Sequence, residues 1–199
     1  MPSGTRQAIH IPANAALLLI DIQRAFGSEY WDYWSAPGGQ RNNPEAEQTA
    51  ARLLGHWRAE GRPVFHVKHD STSARSLLRP GVSTNEIVSV VAPTGGEPLY
   101  HKQVNSAFIG TSLERDLRAR GIDAIVIAGL TTDHCVSTSA RMAGNLGFKT
   151  FVVSDATATF DRVAQDGQCY SAELMHDTAL ASLHGEFATV ARADSILPG

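Results

Sequence analysis

An α/β fold is predicted for this chain, a three-layer αβα sandwich in which a parallel six-stranded sheet carries helices on both faces. Three features predict it. Apolar, β-branched runs alternate with stretches of helical periodicity along the whole length, the pattern of strand–helix–strand units. Residues 121–130 (Gly-Ile-Asp-Ala-Ile-Val-Ile-Ala-Gly-Leu) form a continuous apolar run between turn signals, as a strand buried on both faces requires. No repeat, low-complexity tract or linker divides the 199 residues, and 43% hydrophobic content is enough for one sizeable core, so residues 1–199 are expected to be a single domain.

The first strand is read over residues 15–20, running into Asp21-Ile22-Gln23. A carboxylate at the carboxyl end of a central strand is costly to bury without a partner or a task, so Asp21 is either a working group or a loop cap. Phe26, Tyr30, Trp31, Tyr33 and Trp34 crowd the next segment, with Pro37-Gly38-Gly39 behind them. Such a loop either walls a pocket or packs its rings on the body or on a second subunit. Asn43-Pro44 predicts an N-cap and first helical position; Ala50, Leu53, Leu54 and Trp57 form one apolar face, and Gly61 stops the helix.

Residues 63–67 read as the second strand. Its exit, His66-Val67-Lys68-His69-Asp70, offers two imidazoles and a carboxylate, the side-chain types of a metal site. On an extended strand residues three apart face opposite ways, so His66 and His69 converge only if the strand ends between them. The long irregular connection 71–96 is a candidate cover for a substrate. Residues 99–102 form a third strand that releases Lys102 at the same sheet edge as Asp21. Thr111 with Glu114 has the spacing of a capping box, with Leu113 and Leu117 inward and Gly121 at the end.

After the central strand, Thr132 or Asp133 is the expected N-cap of a helix carrying Val136, Ala140, Ala143 and Gly147 at helical spacing. Cys135 falls in its first turn, where the helix dipole and free N–H groups stabilise a thiolate and an oxyanion. It is either a nucleophile or a small packed thiol. Residues 150–153 are the fifth strand and 155–160 its exit loop, with Asp155 a structural hydrogen-bonding residue. The helix 171–184 turns Ala172, Met175, Ala179, Leu180 and Leu183 inward, and 187–190 is the last strand. Cys169, in a polar loop, is incidental.

A net charge of −3 without a basic run argues against nucleic acid or a membrane surface as partner and for a small molecule. The N-terminus lacks the apolar core of a signal peptide, no run approaches the roughly 20 residues of a membrane span, and two cysteines are too few for a disulfide scaffold. A cytoplasmic location is expected. The dinucleotide and phosphate-loop glycine motifs are absent, as are the serine-hydrolase elbow and C-x-x-C.

Asp21, Lys102 and Cys135 thus share one sheet edge and supply a base, a cation and a nucleophile, a coherent set for acyl transfer. With Leu-Leu-Ile-Asp21-Ile-Gln, Lys102 followed by Ser106-Ala107-Phe108, Gly129-Leu-Thr-Thr-Asp-His-Cys-Val136 and Asp155-Ala-Thr-Ala-Thr159, the chain resembles the isochorismatase-like cysteine hydrolase superfamily, relatives of nicotinamidases and N-carbamoylsarcosine amidases, over roughly residues 15–190. The resemblance implies an isochorismatase-like, Rossmann-like fold. It implies that Asp21 is the general base, that Lys102 holds the aspartate and the developing thiolate, and that Cys135 attacks a carbonyl to form an acyl-enzyme. It further implies a cis Leu130–Thr131 bond, an oxyanion hole from the Thr131 and Cys135 N–H groups, and a homo-oligomer, dimer or tetramer. Phe26, Trp31, Phe108 and His134 are the expected substrate contacts.

Nicotinamidases carry an Asp-x-His metal motif where this chain has His66-Val-Lys-His69-Asp70, so neither metal nor cofactor is expected. Isochorismatases cleave a vinyl ether without needing the cysteine, and Cys135 in full motif context favours C–N hydrolysis of a small amide-type substrate. The alternatives are that ether hydrolysis, or a catalytically silent binding or scaffold protein of the same fold. Alkylation is expected at Cys135 ahead of Cys169.

Overall fold

Strand β1 (Ala16–Ile20) feeds two cores at once. Ala16, Leu18 and Ile20 enter one, Leu17 and Leu19 the other, and all five are buried, which is the consequence of a two-residue repeat in a strand covered on both faces. The computed structural model describes residues 9–35 and 39–197; Pro37 and Gly38 of the aromatic loop lie outside the described residues. After β1 come a single turn α1 (Trp31–Trp34), α2 (Ala46–Ala59), β2 (Val64–His69), β3 (Leu99–Lys102), α3 (Leu113–Ala119), β4 (Ala124–Leu130), α4 (Ser137–Asn145), β5 (Lys149–Ala158), a small hairpin of β6 (Arg162–Val163) and β7 (Cys169–Tyr170), α5 (Ala172–Leu183) and β8 (Thr189–Ala191).

Six strands pair in parallel in the order β3-β2-β1-β4-β5-β8. On one face Ala50, Leu53, Leu54 and Trp57 of α2 pack against Leu17, Leu19, Val126 and Ala128. On the other, Leu113 and Leu117 of α3, Ala140 and Ala143 of α4 and Leu180 and Leu183 of α5 pack against Leu18, Ile20, Ile125 and Ile127. This is the expected three-layer sandwich. The chain winds outward from β1 in one direction and from β4 in the other, so the crevice past the carboxyl ends of β1 and β4 is the topological switch point where such sheets bind ligands.

Several element ends differ from the sequence reading, each for a local reason. Asn43 does not cap α2: it adopts φ 43° and its side-chain amide donates to the Ser154 and Thr157 carbonyls at 3.0 and 2.8 Å, tying the approach of α2 to β5, and the helix begins at Ala46. Thr111 and Glu114 make no capping box, because the Thr111 hydroxyl donates to the Ala107 carbonyl and Glu114 pairs with Arg118 one turn on. The fifth strand runs on to Ala158, taking in Asp155, which accepts the Ala193 N–H at 2.8 Å in the structural role expected of it. In α5 His176 is buried where Met175 and Ala179 are only partly covered, and the last strand starts at Thr189, two residues late.

Gly129 fixes how closely β4 approaches β1 at the switch point. It pairs with Ile20 in register and adopts φ 141°, and a Cβ built there would stand 2.0 Å from the Ile20 carbonyl oxygen. The obstacle is backbone in the sheet centre and cannot rotate away. Gly129→Ala is therefore expected to cost about 3 kcal/mol or more of folding stability, measured by urea unfolding; an unchanged midpoint would contradict this packing.

Candidate active site

Asp21 is the first residue beyond β1. It sits at φ 52°, a left-handed turn that aspartate tolerates better than most residues, with its N–H bonded to the Val67 carbonyl at 2.9 Å. Lys102 is the last residue of β3. Cys135 lies in a wide π-helical turn, Thr132–Val136, that delivers the chain from β4 into α4. The expected helix start is thus displaced: Thr131 occupies the N-cap position and the regular helix begins at Ser137. The Leu130–Thr131 peptide bond is cis.

These three elements converge on the Lys102 ammonium. The side chain is fully buried, and Nζ donates to Asp21 Oδ2 at 2.5 Å, to Cys135 Sγ at 3.3 Å and to His69 Nδ1 at 3.1 Å. An ammonium has three hydrogens and no lone pair, so this one meets an acceptor with each. Asp21 Oδ1 is buried and has no hydrogen-bond partner among the described residues, which leaves one carboxylate oxygen free to take a proton. The Cys135 thiol also faces Asn105 Oδ1 at 3.8 Å.

Burial raises the Asp21 carboxyl above its usual value against the pull of Lys102. Burial, reinforced by the Asp21 charge, pushes the Cys135 thiol up, again with Lys102 opposing. Burial thus holds both the acid and the thiol toward their protonated forms, with the Lys102 charge opposing.

A cavity of about 250 Å³ opens onto Cys135 and Thr131. Phe26 and Trp34 form an aromatic wall, their rings tilted by 32° with centroids 4.8 Å apart. Ser71, Ser76 and Leu78, from the long connection after β2, also line it, with Leu78 packed in the same apolar cluster as Phe26. His134 also lines it, with Nε2 3.6 Å from Asp133 Oδ2. Trp31 does not: its indole donates outward to the Phe26 carbonyl at 3.2 Å, and the Arg41 guanidinium lies 5.9 Å over its ring. Phe108 is also elsewhere, stacked on Phe148 against the main core.

Three cavity residues carried no signal of their own in the sequence. His69 stands with His66 at a strand exit, and neither Asn105 nor Arg162 belongs to a motif. Arg162 is held by Asp133 at 2.9 Å and by the Trp34 carbonyl at 3.1 Å; burial pushes the Asp133 carboxyl up, but the bonds from Arg162 and Thr159 and the nearby charges together keep it below its usual value. Only the acid inside the cysteine motif hinted at such a partner.

The metal cluster offered by His66, His69 and Asp70 does not form. β2 continues through His69, so the two rings face opposite ways: His66 Nε2 meets Glu97 at 2.8 Å, and Asp70 meets His101 Nδ1 at 2.8 Å. Glu97, held by Arg58, drops to about 2. The donors that do converge are Asp21, His69 and Cys135, with ligand atoms within 4.8 Å of one another; Lys102 Nζ bonds all three and already supplies a cation there.

A doubly wound α/β sheet thus gathers an acid, a lysine and a thiol at its switch point. Residues 15–195 match the isochorismatase domain model. The chain is 42% identical over 182 residues to YrdC, an isochorismatase-family protein of Bacillus subtilis (strain 168), covering 92% of this chain and 94% of that one. It is 46% identical over 166 residues to the maleamate amidohydrolase of Pseudomonas putida, covering 75% and 74%. An isochorismatase-family crystal structure from Chromobacterium violaceum superposes with a TM-score of 0.86 at 41% identity, over 98% of this chain and 96% of that one. The chain belongs to the isochorismatase family of hydrolases. No helix among the described residues is long and apolar enough to cross a membrane.

The exposure of the two thiols argues for the opposite order of alkylation. Cys169 is exposed on β7, whereas Cys135 is partly covered, and burial with the Asp21 charge pushes its thiol up. Iodoacetamide at neutral pH is expected to modify Cys169 first, with Cys135 gaining ground as pH rises. Peptide mapping by mass spectrometry checks the order; Cys135 labelled first at pH 7 would mean that its thiolate is stabilised in the resting protein.

Proposed function

We propose that this protein is a cysteine-dependent amidohydrolase that cleaves the C–N bond of a compact amide-type substrate through an acyl-enzyme. The observation that carries the reading is one buried ammonium hydrogen-bonded both to Asp21 and to Cys135, the thiol that lines the cavity. The Cys135 proton passes to Asp21 as sulfur attacks the amide carbon, and Lys102 stays close to both the acid it neutralises and the sulfur that gains charge. The carbonyl oxygen, now negative, is received by the Thr131 and Cys135 N–H groups. Asp21 returns the proton to the nitrogen, the C–N bond breaks, and ammonia or an amine leaves a thioester on Cys135. Asp21 then takes a proton from water as the hydroxide adds to the thioester; collapse breaks the C–S bond and releases the acid, and Asp21 returns that proton to sulfur, restoring the thiol and the base.

The aromatic wall of Phe26 and Trp34 favours a substrate with a planar or apolar portion. The curated relative that acts on maleamate, an amide, supports C–N hydrolysis over ether cleavage. A panel of small amides assayed for ammonia release tests the proposal. Asp21→Asn, Lys102→Ala and Cys135→Ala are each expected to lower turnover of the best substrate by about 10²-fold or more. Normal turnover in any one of them would remove that residue from the reaction.

The acid limb of the pH–rate profile follows from Asp21. It acts as base only when ionised, and burial raises it above 3.8. kcat/KM is therefore expected to fall, as pH is lowered, at a point above the ordinary aspartate value. A rate that holds steady down to that value would contradict Asp21 as the base.

A further inference from the structure

β2 ends on His69, and its backbone there is gripped from both sides. Gln23 accepts the His69 N–H on Oε1 at 2.9 Å and donates Nε2 to the His69 carbonyl at 3.1 Å, while Asn85 Nδ2 donates to the same carbonyl at 2.9 Å. Gln23 is 0% and Asn85 2% exposed. A buried polar cluster with these bonds made fixes where the ring emerges.

The ring emerges beside Lys102, with Nδ1 3.1 Å from Nζ. An ammonium can only donate, so Nδ1 is the acceptor; an imidazole that accepts at Nδ1 is neutral and carries its proton on Nε2. Burial first, and then the Lys102 charge, keep His69 below the usual histidine value, against Asp21 and Asp70. The groups facing it are Asp21 from the end of β1, Lys102 from β3, Cys135 from the turn after β4 and Asp70 next in its own chain. Nε2 has no partner among the described residues, and the ring lines the cavity.

We propose that His69 is a fourth working member of the site. Through Nδ1 it is a positioning residue that holds the Lys102 ammonium on Asp21 and Cys135. Through Nε2–H it presents a hydrogen-bond donor to a polar acceptor on the substrate. The first half stands on the geometry alone; the second rests on the reading of the cavity as an amide site.

Three substitutions separate the two roles. His69→Asn keeps an acceptor near the place of Nδ1 and loses the Nε2–H. His69→Gln reaches a donor toward the place of Nε2 and vacates that of Nδ1. His69→Leu loses both. With an amide substrate, His69→Asn is expected to raise KM about tenfold with kcat changed less than about threefold, His69→Gln to lower kcat about tenfold with KM nearly steady, and His69→Leu to do both. A merely structural role would move all three alike, and identical losses across the series would overturn the substrate half.

The positioning half is read without substrate, from nitrogen NMR of the ¹⁵N-histidine-labelled wild-type protein. His69 is expected to be the Nε2-protonated neutral tautomer between about pH 6 and 8 and to lose that single tautomer in Lys102→Ala. A protonated Nδ1 in the wild type would overturn the proposal whether or not any amide is turned over.

Discussion

One buried ammonium organises the working end of this molecule. Removing a lysine from water is expensive unless its charge and each of its hydrogens find partners, and Lys102 finds them on three different elements: Asp21 after β1, His69 at the end of β2 and Cys135 in the turn after β4. The same contacts that make its burial tolerable therefore draw an acid, an imidazole and a thiol within reach of one another. In the proposed reaction the ammonium never has to move. Charge shifts between sulfur and carboxylate around a fixed positive centre, which is the sense in which a preorganised site lowers a barrier without reorganising.

The sheet makes this convergence possible. β1 and β4 are neighbours whose following segments diverge, and Gly129 lets their backbones meet at a distance that any side chain would forbid. Around that gap the supporting bonds come from residues with no chemistry of their own: Gln23 and Asn85 brace the end of β2, and Arg41 braces the aromatic loop by donating to the Phe26 carbonyl while paired with Glu47. A cavity wall made of Phe26 and Trp34 thus rests on a buried ion pair behind it.

Much of this was legible in the sequence, for identifiable reasons. The six strands and their order of use follow from apolar runs that are short, β-branched and flanked by turn residues. Asp21, Lys102 and Cys135 could be brought together because Lys102 ends a parallel strand, Asp21 directly follows one and Cys135 lies in the turn that leaves one, and parallel strands deliver such residues to one edge. What was not legible depends on distances between residues far apart in the chain. Asn43 reads as a cap until Ser154 and Thr157 are seen to claim its amide. Trp31 and Trp34 are three apart in one turn, and composition cannot say that Trp34 faces the cavity and Trp31 the Arg41 side. Phe108 sits in a motif but is claimed by Phe148. His66 and His69 could converge only if the strand ended between them, and two more residues of strand send them to opposite faces.

The central claim is that Cys135 carries the acyl group. The direct measurement is rapid-quench mass spectrometry of the protein mixed with a turned-over amide, followed by mapping of the modified peptide. The account predicts a transient adduct equal in mass to the substrate less its amine, located on Cys135 and absent from Cys135→Ala. Turnover without any adduct, or an adduct carried on Asp21, would contradict it.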